Sequence, residues 1–305
     1  MSLRSLFANF AALTAVVFAA VSFGYAQRAA TAPKPAPRPM IFAVLNDGVS
    51  LEPIALVEKK ELKAPVSGSD ELSLIQAFNR EFYGAKQTYR VIFGGTNAGT
   101  VTVNSADASA ECAKNVASVT TTSTRVTPKG HLMALATNAA VSKQASGTRR
   151  MPTWPERNEL DVLIRAEFAK NSVPVTKLDY HNLTALDVDN DKKAELVGSF
   201  WVENEPKART LLFFIAEKGS DGKYSISHSD LRTINEDEVL NGEISVLDDG
   251  VYHELLLDVF DYDGDGVAEV FTFVRAFEGS GFNVYKRTDG KWTKVFEGSN
   301  YHCGF

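Results

Sequence analysis

Cysteine is nearly missing from this chain of 305 residues, which carries two, Cys112 and Cys303. Two cysteines exclude a disulfide-dense scaffold and a four-cysteine zinc site. Histidine is almost as scarce. Its five residues, His131, His181, His228, His253 and His302, form no His-x-His or His-x₃-His spacing, so each is expected on the surface or satisfied in the core. His253-Glu254 begins like a zinc-protease helix, but Leu257 stands where the second histidine must be. There is no Gly-x-Ser-x-Gly nucleophile elbow. Positive charge is in deficit, 32 Lys and Arg against 38 Asp and Glu, for a formal net charge of −6. Without a basic stripe interleaved with aromatics, nucleic acid is not the expected partner. Long apolar runs are absent beyond the first 26 residues.

Those first residues read as a signal peptide over 1–26. Arg4 supplies the positive end, residues 6–23 are apolar and rich in small side chains, and Gly24 and Ala26 suit a cleavage site before Gln27. The alternative is an uncleaved membrane anchor. Either way the remainder is expected to be exported, to the periplasm or outside the cell. Export makes a Cys112–Cys303 disulfide the expected state, with two separate thiols as the alternative. Residues 27–39 form a proline-rich linker, with alternating prolines that favour an extended polyproline II spacer.

The rest divides into a β-rich module with one helix over 40–150 and a second part, 151–305, with a helix of its own. Ile41-Phe42-Ala43-Val44-Leu45 and Ile54-Ala55-Leu56-Val57 flank an Asn46-Asp47-Gly48 turn, a hairpin signal. The period changes over 69–83, where Leu74, Phe78 and Phe82 recur at helical spacing and Gly84 ends the helix. Residues 89–93 and 100–103 are strand-like. The Gly94-Gly95-Thr96-Asn97-Ala98-Gly99 stretch between them lacks phosphate-loop spacing and reads as a hairpin loop. Arg149-Arg150 reads as a solvated loop pair rather than an anion site. Thr153 and Glu156 form a capping box with Pro155 in the first turn, and Leu160, Leu163, Ile164 and Phe168 form the buried stripe of the helix that follows.

Acid is what the chain has in concentrated form. Asp261-Tyr262-Asp263-Gly264-Asp265-Gly266-Val267-Ala268-Glu269 places four carboxylates at alternating positions around two glycines, between apolar runs. So much like charge in one turn calls for a cation. Asp261, Asp263 and Asp265 can converge on one side of the turn. The Val267 carbonyl and the Glu269 carboxylate would complete the six to eight oxygens that calcium takes. Seventy-four residues earlier, Asp187, Asp189, Asp191 and Glu195 repeat the pattern, with Lys193 in the carbonyl position and Lys192 where a glycine is preferred. Each acidic loop leads into an apolar strand and then a second hairpin, turning at Asp221-Gly222 or Asp289-Gly290 with an offset of 68. An EF-hand would need a bidentate glutamate at loop position 12, which is Thr272 here and Gly198 in the first copy.

The paired loops resemble those of the FG-GAP/VCBS repeat family, the calcium-loop blades of integrin α-type β-propellers. The resemblance covers roughly residues 182–296. It implies calcium in the loops and a blade-like four-stranded sheet in each copy. The expected fold is therefore mainly β with two α-helices, built from propeller-blade-like antiparallel sheets in a partial or small propeller, with a β-sandwich-like α+β arrangement as the alternative. The expected function is that of an exported calcium-binding β-repeat protein acting as a binding or structural module at the cell envelope or outside the cell, with protein or glycan as the candidate partner. The alternative is a secreted hydrolase whose site lies in the N-terminal half.

Overall fold

Strand β1 (Met40–Leu45) is buried along its whole length, and the use of both its faces sets the architecture. Side chains alternate across a strand, so Met40, Phe42 and Val44 enter one core while Ile41, Ala43 and Leu45 enter another. The structure, a computed structural model, describes residues 37–141, 145–242 and 244–303. The expected signal peptide and most of the proline-rich linker lie outside the described residues.

The first core is the inside of a barrel. Its strands are β1, β2 (Ser50–Glu58), β3 (Glu61–Lys63), β4 (Thr88–Phe93), β5 (Thr96–Ser105), β6 (Ala117–Ser123) and β7 (Ala134–Thr137). They run in the order β1-β7-β4-β5-β6-β2, and β2 pairs back onto β1, so six antiparallel strands close and β3 rides on β2. Closure leaves no free edges among the six. Helix α1 (Leu72–Phe82) buries Ile75, Phe78 and Phe82. Phe82 meets Phe42 edge-on, and Phe42 in turn packs against Tyr89 at 4.7 Å between ring centres.

Past the two-residue strand β8 (Arg149–Arg150) comes helix α2 (Trp154–Lys170), which starts on the expected Thr153–Glu156 capping box. Strands β9 (Asp179–Leu186), β10 (Glu195–Glu205), β11 (Ala208–Lys218) and β12 (Tyr224–Asn235) form a meander, with β8 added at the β9 edge. A single-turn helix, α3 (Glu236–Val239), makes a third helix where two were expected. A second meander follows: β13 (Glu254–Phe260), β14 (Glu269–Ala276), β15 (Gly279–Thr288) and β16 (Lys291–Tyr301). The two are copies in register as well as order. Both shift register within the first hairpin, and both bulge again in the last strand pair, at Ile215/Ala216 and at Val284/Tyr285.

These pieces stack in layers. Leu160, Ile164 and Phe168 of α2 pack on Leu196, Phe200, Leu212 and Phe214 of the first meander. Its opposite face, with Val197, Phe213 and Ile215, meets Leu256, Val259, Val270 and Tyr285 of the second. The far face of the second, with Leu257, Phe260, Phe271 and Phe282, lies on the outer side of the barrel. The second meander is thus covered on both faces, which explains its nearly unbroken apolar runs. The two meanders pack face to face, while the third β layer is a closed barrel.

The last strand is tied back to the barrel. Cys112 and Cys303 are joined in a disulfide. Beside it, buried Glu52 accepts hydrogen bonds from Asn300 (2.8 Å), Ser280 (3.3 Å) and His302 (2.8 Å).

Candidate metal centres

Each acidic loop joins the first two strands of its meander, β9 to β10 and β13 to β14. The tight reversal needs two residues with positive φ. In the second loop they are Gly264 (φ 74°) and Gly266 (φ 95°); in the first, Asn190 (φ 60°) and Lys192 (φ 70°) adopt the same backbone. Asparagine tolerates that region, whereas lysine pays roughly 1–2 kcal/mol for it. The reversal turns the aspartates inward: one oxygen from each of Asp187, Asp189 and Asp191 lies within 4.8 Å of the others, and the same holds for Asp261, Asp263 and Asp265. Each trio can hold a metal ion.

Backbone N–H groups shape both trios. Asp261 accepts from Gly264 (2.7 Å) and Gly266 (3.2 Å), and Asp265 accepts from Val267 (2.9 Å). In the first loop Lys192 donates to Asp187 (3.3 Å) and Lys193 to Asp191 (2.7 Å). Val267 and Lys193 thus each give their N–H to the last aspartate of the trio. Glu195 and Glu269 lie beneath, 4% and 1% exposed. Burial pushes each of these two carboxyls up to about 8, offset in part by the Val188 N–H at Glu195 and by Lys286 and then the Tyr262 N–H at Glu269. Asp187, also buried, is pushed upward by the same desolvation, and its Oδ1 is buried with no hydrogen-bond partner.

The two loops differ in how the protein answers their charge, and the sequence did not reveal this. In the second, the Lys286 ammonium from β15 reaches between the carboxylates, 2.5 Å from Asp263, 2.6 Å from Asp265 and 3.0 Å from Glu269. Burial lowers this lysine, but the three hydrogen bonds outweigh it and hold it above the usual range. The strand register assigns its counterpart. Leu196 pairs with Ala216 in one sheet and Val270 with Tyr285 in the other, so one step beyond each pair stand Glu217 and Lys286. The sequence offset of 68 would have matched Lys286 to Lys218. Three residues separate Glu217 from the Asp221-Gly222 turn and two separate Lys286 from Asp289-Gly290, so the turns and the strands before them carry different offsets.

The first loop therefore has a fifth acid where the second has a cation. Its neutralisation comes from the rim. Arg287 pairs with Asp189 (2.8 Å) and Glu217 (3.0 Å), and Lys193 approaches Asp191 (3.4 Å). No cation contact is recorded for Asp187 or Glu195 among the described residues. A cleft of about 520 Å³ opens beside them, lined by Arg150, Glu156, Asp187, Lys192 and Lys218. The loops themselves touch, since Ala268 donates to the Val188 carbonyl at 2.8 Å.

Three expectations change. The Gly94-Gly95 stretch is indeed a hairpin loop, yet its N–H groups do cradle an anion, the buried Asp258 carboxylate, at 3.1 and 3.2 Å. Arg149, expected in solvent, is buried against that carboxylate at 2.6 Å and lies over the Phe93 ring at 4.6 Å. Burial raises the Asp258 carboxyl and Arg149 pulls it back. Arg150 pairs with Glu156. The histidines are not all dispersed either: His131, His181 and His253 meet where three segments converge. Spacing in the chain carries no sign of that meeting, because the three lie on different layers.

Comparison with family models, with curated proteins and with solved structures found no match to this chain. Among the described residues no helix is long and apolar enough to cross a membrane. The disulfide is of the kind that persists in an oxidising compartment.

Proposed function

We propose that the chain is an exported calcium-binding β-repeat protein of the FG-GAP/VCBS kind, acting as a binding or structural module at the cell envelope or outside the cell. The observation that carries this reading is the first loop. There a buried carboxylate oxygen, Asp187 Oδ1, has no partner beside Asp189, Asp191 and the buried Glu195. A cation is the natural complement of such a group. The donor set is all oxygen, from Asp187, Asp189, Asp191, Glu195 and the Lys193 carbonyl, with room for water from the adjoining cleft. That suits calcium, and suits magnesium less, since its strict octahedral shell retains most of its own water.

The second loop offers Asp261, Asp263, Asp265, Glu269 and the Val267 carbonyl, but an ion entering there must displace the Lys286 ammonium. Calcium thus fills the first loop before the second. The ion fastens a hairpin within a stack whose layers are already packed, so it acts as a lock and not as a switch. The stacked, bulge-matched meanders support the repeat-family reading, and the disulfide supports export.

A glycan suits the partner role. Trp154 and Tyr180, 70% and 45% exposed, border a groove of about 520 Å³ that also presents Arg157, Asn158 and Asp161. Aromatic faces with hydrogen-bonding groups around them match a sugar ring, which is apolar on its C–H face and polar at its rim.

Thermal melts in calcium, magnesium and EDTA test the metal reading. For a dissociation constant of about 10⁻⁴–10⁻³ M, millimolar calcium stabilises by about 0.4–1.4 kcal/mol per site, a rise of roughly 1–5 °C. Asp187→Asn is expected to abolish most of that response and Asp263→Asn to leave most of it. A melt indifferent to calcium would sink the proposal.

A further inference from the structure

The meeting of His131, His181 and His253 has no part in the acidic loops. His131 lies in the tight turn before β7, His181 on β9 and His253 just before β13, so the barrel and both meanders each contribute one ring. His181 is central: its ring centre lies 5.1 Å from that of His131 and 4.4 Å from that of His253, both edge to face. The Trp201 ring lies parallel to it at 6.3 Å.

One amide holds the three segments together. Asn182, adjacent to His181 and at positive φ, donates to the His131 carbonyl (2.8 Å) and to the Leu256 carbonyl (3.1 Å). Leu256 is three residues beyond His253, so the backbones carrying all three imidazoles are pinned by a single side chain. His253 Nδ1 is buried with no hydrogen-bond partner, a polar atom withdrawn from water without replacement.

We propose that His131, His181 and His253 form a binding site for an imidazole-seeking divalent ion of the zinc, copper or nickel class, joining the barrel to both meanders. The spacing fits. With metal–nitrogen bonds of 2.0–2.1 Å and the ring centre about 1 Å behind its nitrogen, neighbouring imidazoles on one ion have centres roughly 4.5–5.2 Å apart. The 5.1 Å separation lies within that range and the 4.4 Å separation just below it, while nitrogens of all three rings come within reach of one ion only once the His131 ring turns. His131 is exposed, so its ring can turn to complete the shell. Trp201 and the surrounding strands shield one side.

Local electrostatics keep the rings available as ligands. Burial, and then the neighbouring His131, lower His181; burial, His181, Arg232 and His131 lower His253 to about 4. Both are neutral near pH 7, the form that binds metal. Arg232, which donates to the Tyr252 carbonyl, opposes a cation here; Asp179 and Asp248, near His181 and His253 respectively, favour it. The donor set is all nitrogen and so selects against calcium, making this site independent of the acidic loops.

The test is a titration of the full chain with Cu²⁺ in millimolar calcium, which keeps a hard cation on the carboxylates, followed by electron paramagnetic resonance. The expected result is one Cu²⁺ per chain, bound at micromolar or tighter affinity, with hyperfine splitting from at least two imidazole nitrogens. His131→Ala, at an exposed position, is expected to weaken binding at least tenfold without changing the melt of the ion-free chain. His181→Ala and His253→Ala are expected to remove the nitrogen signature, and His228→Ala to leave it intact. An all-oxygen spectrum would overturn the proposal. So would a dissociation constant above 100 µM, or a nitrogen pattern that survives both His181→Ala and His131→Ala, two variants that keep the test open should His253→Ala fail to fold.

Discussion

At the scale of single residues, charge is placed with opposite logic in two copies of one loop. Lys286 answers Asp263, Asp265 and Glu269 from within; its counterpart in the first copy is an acid, Glu217, held from the rim by Arg287. Lys286→Met should therefore destabilise the chain in EDTA by about 1–3 kcal/mol, the worth of hydrogen bonds to charged groups. The same variant should respond more strongly to calcium than the parent, because the ion no longer competes with an ammonium. Paired melts with and without calcium read both effects, and an unchanged calcium response would separate Lys286 from the site.

A second residue-scale expectation concerns pH. The hydrogen bond to Glu52 raises His302 above the ordinary histidine range despite partial burial. A raised folded value means that this pair stabilises fully below about pH 6.5, the unfolded value, and that the contribution is lost as pH rises through the folded value. Denaturant unfolding of the parent and His302→Phe at pH 5.5 and 8.5 should show the larger difference at the lower pH. Equal differences would show that the imidazole acts only by packing.

At the scale of elements, what was legible was periodicity and capping. Helix α2 runs from its capping box and buries three of the four residues expected in its stripe, Leu160, Ile164 and Phe168; Leu163 packs at its edge. Thr153→Ala removes the cap, and denaturant unfolding should record a loss of about 1 kcal/mol. Both acidic loops take the backbone that their glycine, asparagine and lysine positions imply, since turn chemistry is local. Strand β1 was readable as a strand, but no pattern within it reveals that Ile41, Ala43 and Leu45 face a second sheet. An unbroken apolar run says that both faces are covered and never by what.

At the scale of the whole molecule, the barrel and the meanders act as one body, Pro37–Phe305, because the second meander is buried between the first and the barrel. A buried ion pair helps to stitch that junction. Asp258 of β13 receives the Gly94 and Gly95 amides from the barrel and Arg149 from β8, with both charged side chains almost fully buried. Arg149→Met should cost about 3–5 kcal/mol by leaving a buried carboxylate uncompensated, with Asp258→Asn in the same background restoring part of the loss. Calorimetry of the two variants checks this, and a loss below about 1 kcal/mol would show that water reaches Asp258.

By itself the sequence determined what depends on neighbours in the chain: the mainly β composition, the two longer helices and the capping box of the second, the turns, the repeat and the inward-facing aspartates of each loop. Tertiary structure alone decided which distant groups meet. Strand register placed Lys286 in one acidic loop and Glu217 beside the other, since pairing across the ladder fixes which residue of the facing strand meets each loop. Layer stacking turned a glycine-rich hairpin into the seat of a buried carboxylate and gathered three scattered imidazoles around Asn182. The acidic stretch announces a cation through its own charge density. Whether that cation is a metal ion or a lysine depends on a strand that the loop's own sequence does not contain.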